Sequence, residues 1–99
     1  MDAQALETKA GPAANLLAAL ANPSRMQVLC ELVDGEKCVG TLAESIGIGQ
    51  SALSQHLAKL REQGLVSTRR DAQTIYYRIT SPQAEAILAT LHEIYCAKA

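Results

Sequence analysis

Gly49-Gln-Ser-Ala-Leu-Ser-Gln-His-Leu-Ala-Lys-Leu-Arg-Glu-Gln-Gly64 is the stretch that decides how this chain is read. Leu53, Leu57 and Leu60 recur at i, i+4 and i+7, so a helix over these residues carries all three on one face. Gln50, Ser51, Ser54 and Gln55 then fall on the opposite face of its first two turns. Their short side chains both donate and accept hydrogen bonds. A helix with leucines behind and Gln/Ser in front suits a DNA major groove, where polar side chains meet base edges. Gly64 closes it.

The residues before this helix supply its partner. Gly47-Ile48-Gly49 is a tight turn, and ahead of it a short helix over about Gly40 to Ser45 turns Leu42, Ala43 and Ile46 to one side. Helix, three-residue glycine turn, helix is the helix-turn-helix pattern. Beyond Gly64 the period changes from 3.6 to 2. Leu65-Val-Ser-Thr-Arg-Arg70 and Thr74-Ile-Tyr-Tyr-Arg-Ile79 read as strands joined by Asp71-Ala72-Gln73, a hairpin with arginines at its tip. A helix-turn-helix with a basic hairpin behind it is a winged helix.

Farther upstream, Asn22-Pro23 marks a helix start: Asn caps, and Pro fills a first-turn position where its missing N–H costs nothing. That helix is expected to reach Val33 with Met26, Leu29, Leu32 and Val33 inward, and to end at Asp34-Gly35. An Ala/Leu-rich helix over Ala13 to Ala21 precedes it, with Leu16, Leu17 and Leu20 on one side. Residues 1–12 are expected to form a mobile arm, and residues 36–39 a short extended piece carrying Cys38. Ser81-Pro82 caps a last helix to about Ala97. Its apolar band of Ala84, Ile87, Leu88, Leu91, Ile94 and Tyr95 is wider than one small domain needs, which points to subunit pairing. The expectation is a mainly α fold with a β-hairpin wing, ordered α-α-α-α-β-β-α. One DNA-binding and dimerisation domain spans residues 13–97.

Composition narrows the function. A chain of 99 residues without Trp or Phe builds its core from Leu, Ile, Val and Ala, and so small a core often borrows surface from a second copy. The net charge of −1 conceals an uneven distribution. Residues 1–49 hold three basic and six acidic side chains, whereas residues 50–80 hold five basic and two acidic, a local +3 suited to phosphate. No apolar run approaches a membrane span and no signal-peptide pattern opens the chain, so a cytoplasmic protein with its three cysteines as thiols is expected. There is no Gly-rich phosphate loop, no HExxH and no nucleophile–base–orienter set, so an enzyme is not expected.

Asn22-Pro23-Ser24-Arg25, Ser51-Ala-Leu-Ser-Gln-His-Leu57 and Arg70-Asp-Ala-Gln-Thr-Ile-Tyr-Tyr77 resemble motifs of the ArsR/SmtB transcriptional repressors, over about residues 13–97. The resemblance implies a homodimer on a pseudo-palindromic double-stranded operator, paired through its first and last helices and released by an inducer. Residue by residue, it places Gln50, Ser51, Ser54, Gln55 and His56 on the reading helix. His56 is open between base, phosphate and intra-domain contact. Arg69, Arg70, Gln73 and Arg78 belong to the wing, with Thr41 and Lys59 as further phosphate contacts; a helix-capping role for Thr41 stands beside that one.

The inducer varies within such a family. Metal-sensing relatives carry Cys-x-Cys at the start of the third helix, but this chain has Cys38-Val39-Gly40. The last helix offers Glu85, His92 and Glu93 without ligand spacing. No metal site and no cofactor are therefore expected, although a thiolate site for a metal or metalloid drawn from Cys30, Cys38 and Cys96 is the alternative. Leu29-Cys30, Val39-Gly40-Thr41-Leu42 and Leu91-His-Glu-Ile-Tyr-Cys96 are similar instead to the dithiol sensors of the BigR, SqrR and HlyU type. That similarity implies that Cys30 and Cys96 are a redox pair answering reactive sulfur species or an oxidant, with Cys38 as an extra thiol.

Overall fold

The structure, a computed structural model, describes residues 1–96. Its elements are α1 (Ala3–Glu7), α2 (Ala10–Leu20), α3 (Pro23–Val33), β1 (Lys37–Cys38), α4 (Val39–Ile46), α5 (Gln50–Glu62), β2 (Val66–Asp71), β3 (Thr74–Ile79) and α6 (Pro82–Cys96). The architecture is the mainly helical winged helix-turn-helix expected. Ala97, the expected end of the domain, lies outside the described residues.

Two expectations about the N-terminal third are corrected. Residues 1–12 carry helical structure rather than an irregular arm, because the Asp2 side chain accepts from the Ala5 N–H and caps α1. The next helix begins at Ala10, three residues early, with Pro12 in its first turn, where a missing N–H is tolerated. A third difference is that the extended piece expected over residues 36–39 joins the wing as strand β1. β1 pairs antiparallel with β3, Lys37 opposite Tyr77 and Cys38 opposite Tyr76, so the wing is a three-stranded sheet in the order β1-β3-β2.

The Asn-Pro-x-Arg motif has a local explanation. Asn22 Oδ1 accepts from the Arg25 N–H at 3.0 Å and caps α3. Arg25 then reaches back, its Nε donating to the Ala19 carbonyl at 2.7 Å and one Nη to Ala18 at 3.3 Å. Those carbonyls lie in the last turn of α2, whose C-terminal oxygens lack helical partners. One arginine therefore closes one helix and fixes its angle to the next. Ser81 does similar work for α6, its Oγ accepting from the Ala84 N–H at 3.0 Å.

Leu20, Val28, Leu29, Leu32, Leu42, Leu53, Leu57, Leu60, Leu65, Val66, Ala84 and Leu88 form one continuous core. Leu53, Leu57 and Leu60 are fully buried, in keeping with their spacing. Val33 and Leu17 depart from the expected inward set, at 59% and 54% exposed. The inward stripe of α3 runs through Val28, Leu29 and Leu32, and Val33 lies about 100° beyond Leu32, at the stripe's edge. No helix among the described residues is long and apolar enough to cross a membrane.

Candidate DNA interface and thiol site

The reading helix α5 is set by its glycines. Gly47 ends α4 in the left-handed conformation (φ 79°), and its N–H returns to the Ala43 carbonyl at 2.8 Å. Gly49 is the N-cap of α5. With the leucine stripe anchored in the core, Gln50, Ser51, Ser54 and Gln55 are all exposed. His56, beside Leu57, is half-buried, while Lys59 is exposed near the C-terminal end of the helix. Thr41 is exposed in the first turn of α4, where its Oγ1 lies 3.4 Å from the Cys38 Sγ. That contact joins two side chains, and no side-chain hydrogen bond caps this end of α4.

The wing separates arginines that lie together in the sequence. In the β2–β3 register Arg69 faces Tyr76 and Arg70 faces Ile75. Neighbouring residues of a strand point to opposite faces, so Arg69 and Arg70 leave the sheet on opposite sides. Arg78 shares the face of Arg69, opposite Ser67. Arg69 is occupied: its Nε donates to Glu36 Oε1 at 3.0 Å and an Nη donates to the same oxygen, a two-point contact. Another Nη lies 3.8 Å from Asp71, and the guanidinium sits 4.7 Å over the Tyr76 ring. Arg69 beside it holds the Glu36 carboxyl below its ordinary pKa, and Glu36 in turn raises that of Arg69. Gln73 lies in the two-residue loop at the tip, after Ala72 with φ 57°.

The thiols occupy two places. Cys30 lines a cleft of about 600 Å³ with Val33 and Asp34 at the end of its own helix and Glu85, Leu88, Ala89 and His92 of α6. The α6 residues step by three and four, and Cys96 is four beyond His92, so it continues the stripe that faces the cleft. Partial burial, then the charge of Cys96, then that of Glu31, push the Cys30 thiol up from its ordinary pKa. Cys38 behaves in the opposite way. It is the N-cap of α4, and hydrogen bonds from the Thr41 hydroxyl and the Thr41 and Gly40 backbone pull its pKa down. Among the described residues no three Cys, His, Asp or Glu side chains come together as metal ligands.

Residues 22–68, which span α3 through the start of β2, match the family model described as bacterial regulatory protein, arsR family. The nodulation protein NolR of Rhizobium meliloti is 58% identical over 84% of this chain and 68% of its own. Reduced HlyU from Vibrio cholerae superposes with a TM-score of 0.88 at 47% identity, covering 95% of this chain and 99% of that one. The chain belongs to the arsR family of bacterial regulatory proteins. The transcriptional repressor BigR from Xylella fastidiosa overlays still more completely, with a TM-score of 0.93 at 45% identity over 99% of this chain and all of that one. The protein is thus a DNA-binding transcriptional regulator and not an enzyme.

Within this arsR-family fold, the sequence-expected residues separate by geometry. Gln50, Ser51, Ser54 and Gln55 share one exposed helical surface, and Arg70 and Gln73 project from the wing tip. Arg69 is tied down. Sequence reading missed its carboxylate partner because Glu36 is 33 residues away, in the loop before β1, whose pairing with β3 no local pattern reveals. It also missed the side-chain contact between Cys38 and Thr41, three residues apart at the start of α4.

Proposed function

We propose that the protein is a homodimeric repressor that reads a double-stranded operator with α5 and the wing. It leaves the operator when Cys30 and Cys96 of one chain are bridged by reactive sulfur or an oxidant. The observation that carries the sensing half is the cleft between α3 and α6, which Cys30 lines and which faces the α6 stripe that Cys96 continues. Kinship with HlyU, solved in a reduced form, and with the repressor BigR supports the same reading.

The DNA half rests on the exposed Gln/Ser surface over a leucine anchor. Gln55 and Gln50 are suited to bidentate contact with adenine, and Ser51 and Ser54 to either kind of base. Arg70, Arg78, Lys59 and Gln73 supply backbone contacts that set position without reading sequence. The dimer rests on apolar surface left uncovered in one chain: Leu17 on α2 and Ile94 and Tyr95 on α6, the last two 65% and 80% exposed. Two copies pairing through these helices set the spacing of their reading helices, which two half-sites fix at about 34–36 Å.

The chemistry balances without a metal or cofactor. A cysteine thiolate attacks the outer sulfur of a persulfide R–S–SH, the S–S bond breaks, a thiolate RS⁻ leaves, and Cys–S–SH remains. The second thiol then attacks the inner sulfur, giving the disulfide and releasing H₂S. If both cysteines are persulfidated first, they condense to a trisulfide, again with loss of H₂S. A direct disulfide needs Cα atoms about 4.4–6.8 Å apart, and each extra sulfur widens the span by about 2 Å. The test is mass spectrometry of reduced protein treated separately with persulfide, peroxide and Zn²⁺. The expected product is an intrachain peptide pair containing Cys30 and Cys96, joined by two or more sulfurs. A Zn²⁺ adduct with unreacted thiols under persulfide would replace this reading with the metal-responsive one.

A further inference from the structure

We propose that Glu36 is a positioning residue of the DNA interface: it holds Arg69 on the protein, bracing the wing and keeping that arginine out of phosphate contact. The inference rests on the reading that the wing touches DNA, and it assigns opposite roles to two adjacent arginines.

The geometry makes the assignment. A carboxylate and a phosphate compete for the same guanidinium donors, and both prefer two-point contact. On Arg69, Nε and one Nη are committed to Glu36, a second Nη is directed toward Asp71, and one face of the guanidinium is covered by the Tyr76 ring. To reach a phosphate, Arg69 has to release Glu36. That release leaves a bare carboxylate facing the same polyanion, so the gain of one cationic contact is cancelled by a new repulsion. The pair is therefore kept.

Its position gives it a mechanical role. Glu36 lies in the loop just before β1, and Arg69 lies in β2, on the far side of β3 from β1. The pair spans the sheet from the body of the domain to the hairpin. Arg70, on the opposite face and with no ion-pair partner among the described residues, is the arginine such a brace presents. Arg78 shares the Arg69 face, and its charge also bears on Glu36.

The test is the salt dependence of binding to a mixed-sequence DNA duplex, measured by fluorescence anisotropy for wild type, Glu36→Gln, Arg69→Gln, the double variant and Arg70→Ala. Each phosphate contact contributes about 0.9 to the slope of log K against log salt. Glu36→Gln, nearly the same shape and uncharged, is expected to steepen the slope by about 0.9 and to tighten low-salt binding several-fold. Arg69→Gln alone bares the Glu36 carboxylate and is expected to weaken low-salt binding without steepening the slope, and in the double variant both that weakening and the steepening disappear. An unchanged slope in Glu36→Gln overturns the proposal, as does a loss of binding in Arg69→Gln that the added Glu36→Gln change does not restore, or a steepening that survives the loss of Arg69. Arg70→Ala separates this proposal from the reading beneath it. A slope flattened by about 0.9 keeps the wing on the DNA whatever Glu36 does, and an unflattened one removes Arg70 from contact.

Discussion

At the scale of single residues, exposure and local charge assign the work. Ser54 and Gln55 are exposed on the helix surface, so their substitution should act on DNA and not on stability. Ser54→Ala and Gln55→Ala are each expected to cost about 1–3 kcal/mol on operator, with little change on mixed-sequence DNA. Competition binding with both duplexes checks this, and equal losses on the two would make them non-readers. The cysteines give a pH prediction. Cys38 is pulled below its ordinary pKa by hydrogen bonding with Thr41 first and the Gly40 backbone after it, and Cys30 is pushed above it by burial and negative neighbours. The thiolate is the nucleophile, so a lowered pKa enlarges the reactive fraction at neutral pH and a raised one shrinks it. Timed iodoacetamide labelling should therefore modify Cys38 before Cys30 near pH 7, with the gap closing as pH rises past the ordinary thiol range. Labelling of Cys30 first at neutral pH would contradict that ordering. Easy alkylation of Cys38 does not make it the proposed sensor, because Cys30 is the thiol that lines the cleft against the α6 stripe that Cys96 continues.

At the scale of elements, α4, α5 and the hairpin were legible because each carries its own signal. Leu53, Leu57 and Leu60 mark a period of 3.6, and Thr74 to Ile79 a period of 2 with turn residues beside it. The turn between the helices depends on Gly47, whose φ of 79° is a conformation that side chains with a Cβ rarely adopt. Gly47→Ala should lower unfolding stability by about 1 kcal/mol and weaken DNA binding together, by denaturant titration and anisotropy. A neutral effect would mean that the turn relaxes freely. The features hidden in the sequence were non-local. β1 is two residues long and exists only because β3 lies beside it, so no window of residues 36–39 reveals its partner. The Glu36–Arg69 bridge depends on that pairing. Helix α1 was missed for a different reason: its signal is a single Asp2 cap over five residues, without an apolar stripe to anchor it. Val33 was misplaced because an inward stripe has edges, and its edge position faces the α3–α6 cleft instead of the core.

At the scale of the whole molecule, the fold places a thiol cleft at one end of α3 and ties that helix to the sheet. Glu31, next to Cys30, accepts from Lys37 of β1 at 2.8 Å, and Glu36, next to Lys37, holds Arg69 of the wing. Pairs this close to the surface contribute little to stability individually, about 0–1 kcal/mol. Their use lies in fixing where the wing sits relative to α3. The proposed dimer would supply the second frame. Ile94 is 65% exposed in one chain, so Ile94→Glu should dissociate the dimer without unfolding the protomer, in contrast to a charge at buried Leu88. Sedimentation with circular dichroism distinguishes these outcomes, and a wild-type monomer at micromolar concentration would contradict pairing through α6. The central claim is that bridging Cys30 to Cys96 shifts this dimer away from its DNA-binding arrangement. A tenfold loss of affinity needs only about 1.4 kcal/mol of differential stability, which one covalent tether can supply. The most direct measurement is operator affinity before and after persulfide treatment, in wild type and in Cys30→Ser, Cys38→Ser and Cys96→Ser. Wild type and Cys38→Ser should lose roughly tenfold or more in affinity and recover it on reduction, while Cys30→Ser and Cys96→Ser stay bound. Release of Cys30→Ser by persulfide, with Cys38→Ser unresponsive, would contradict the account and move the sensor to the cap of α4.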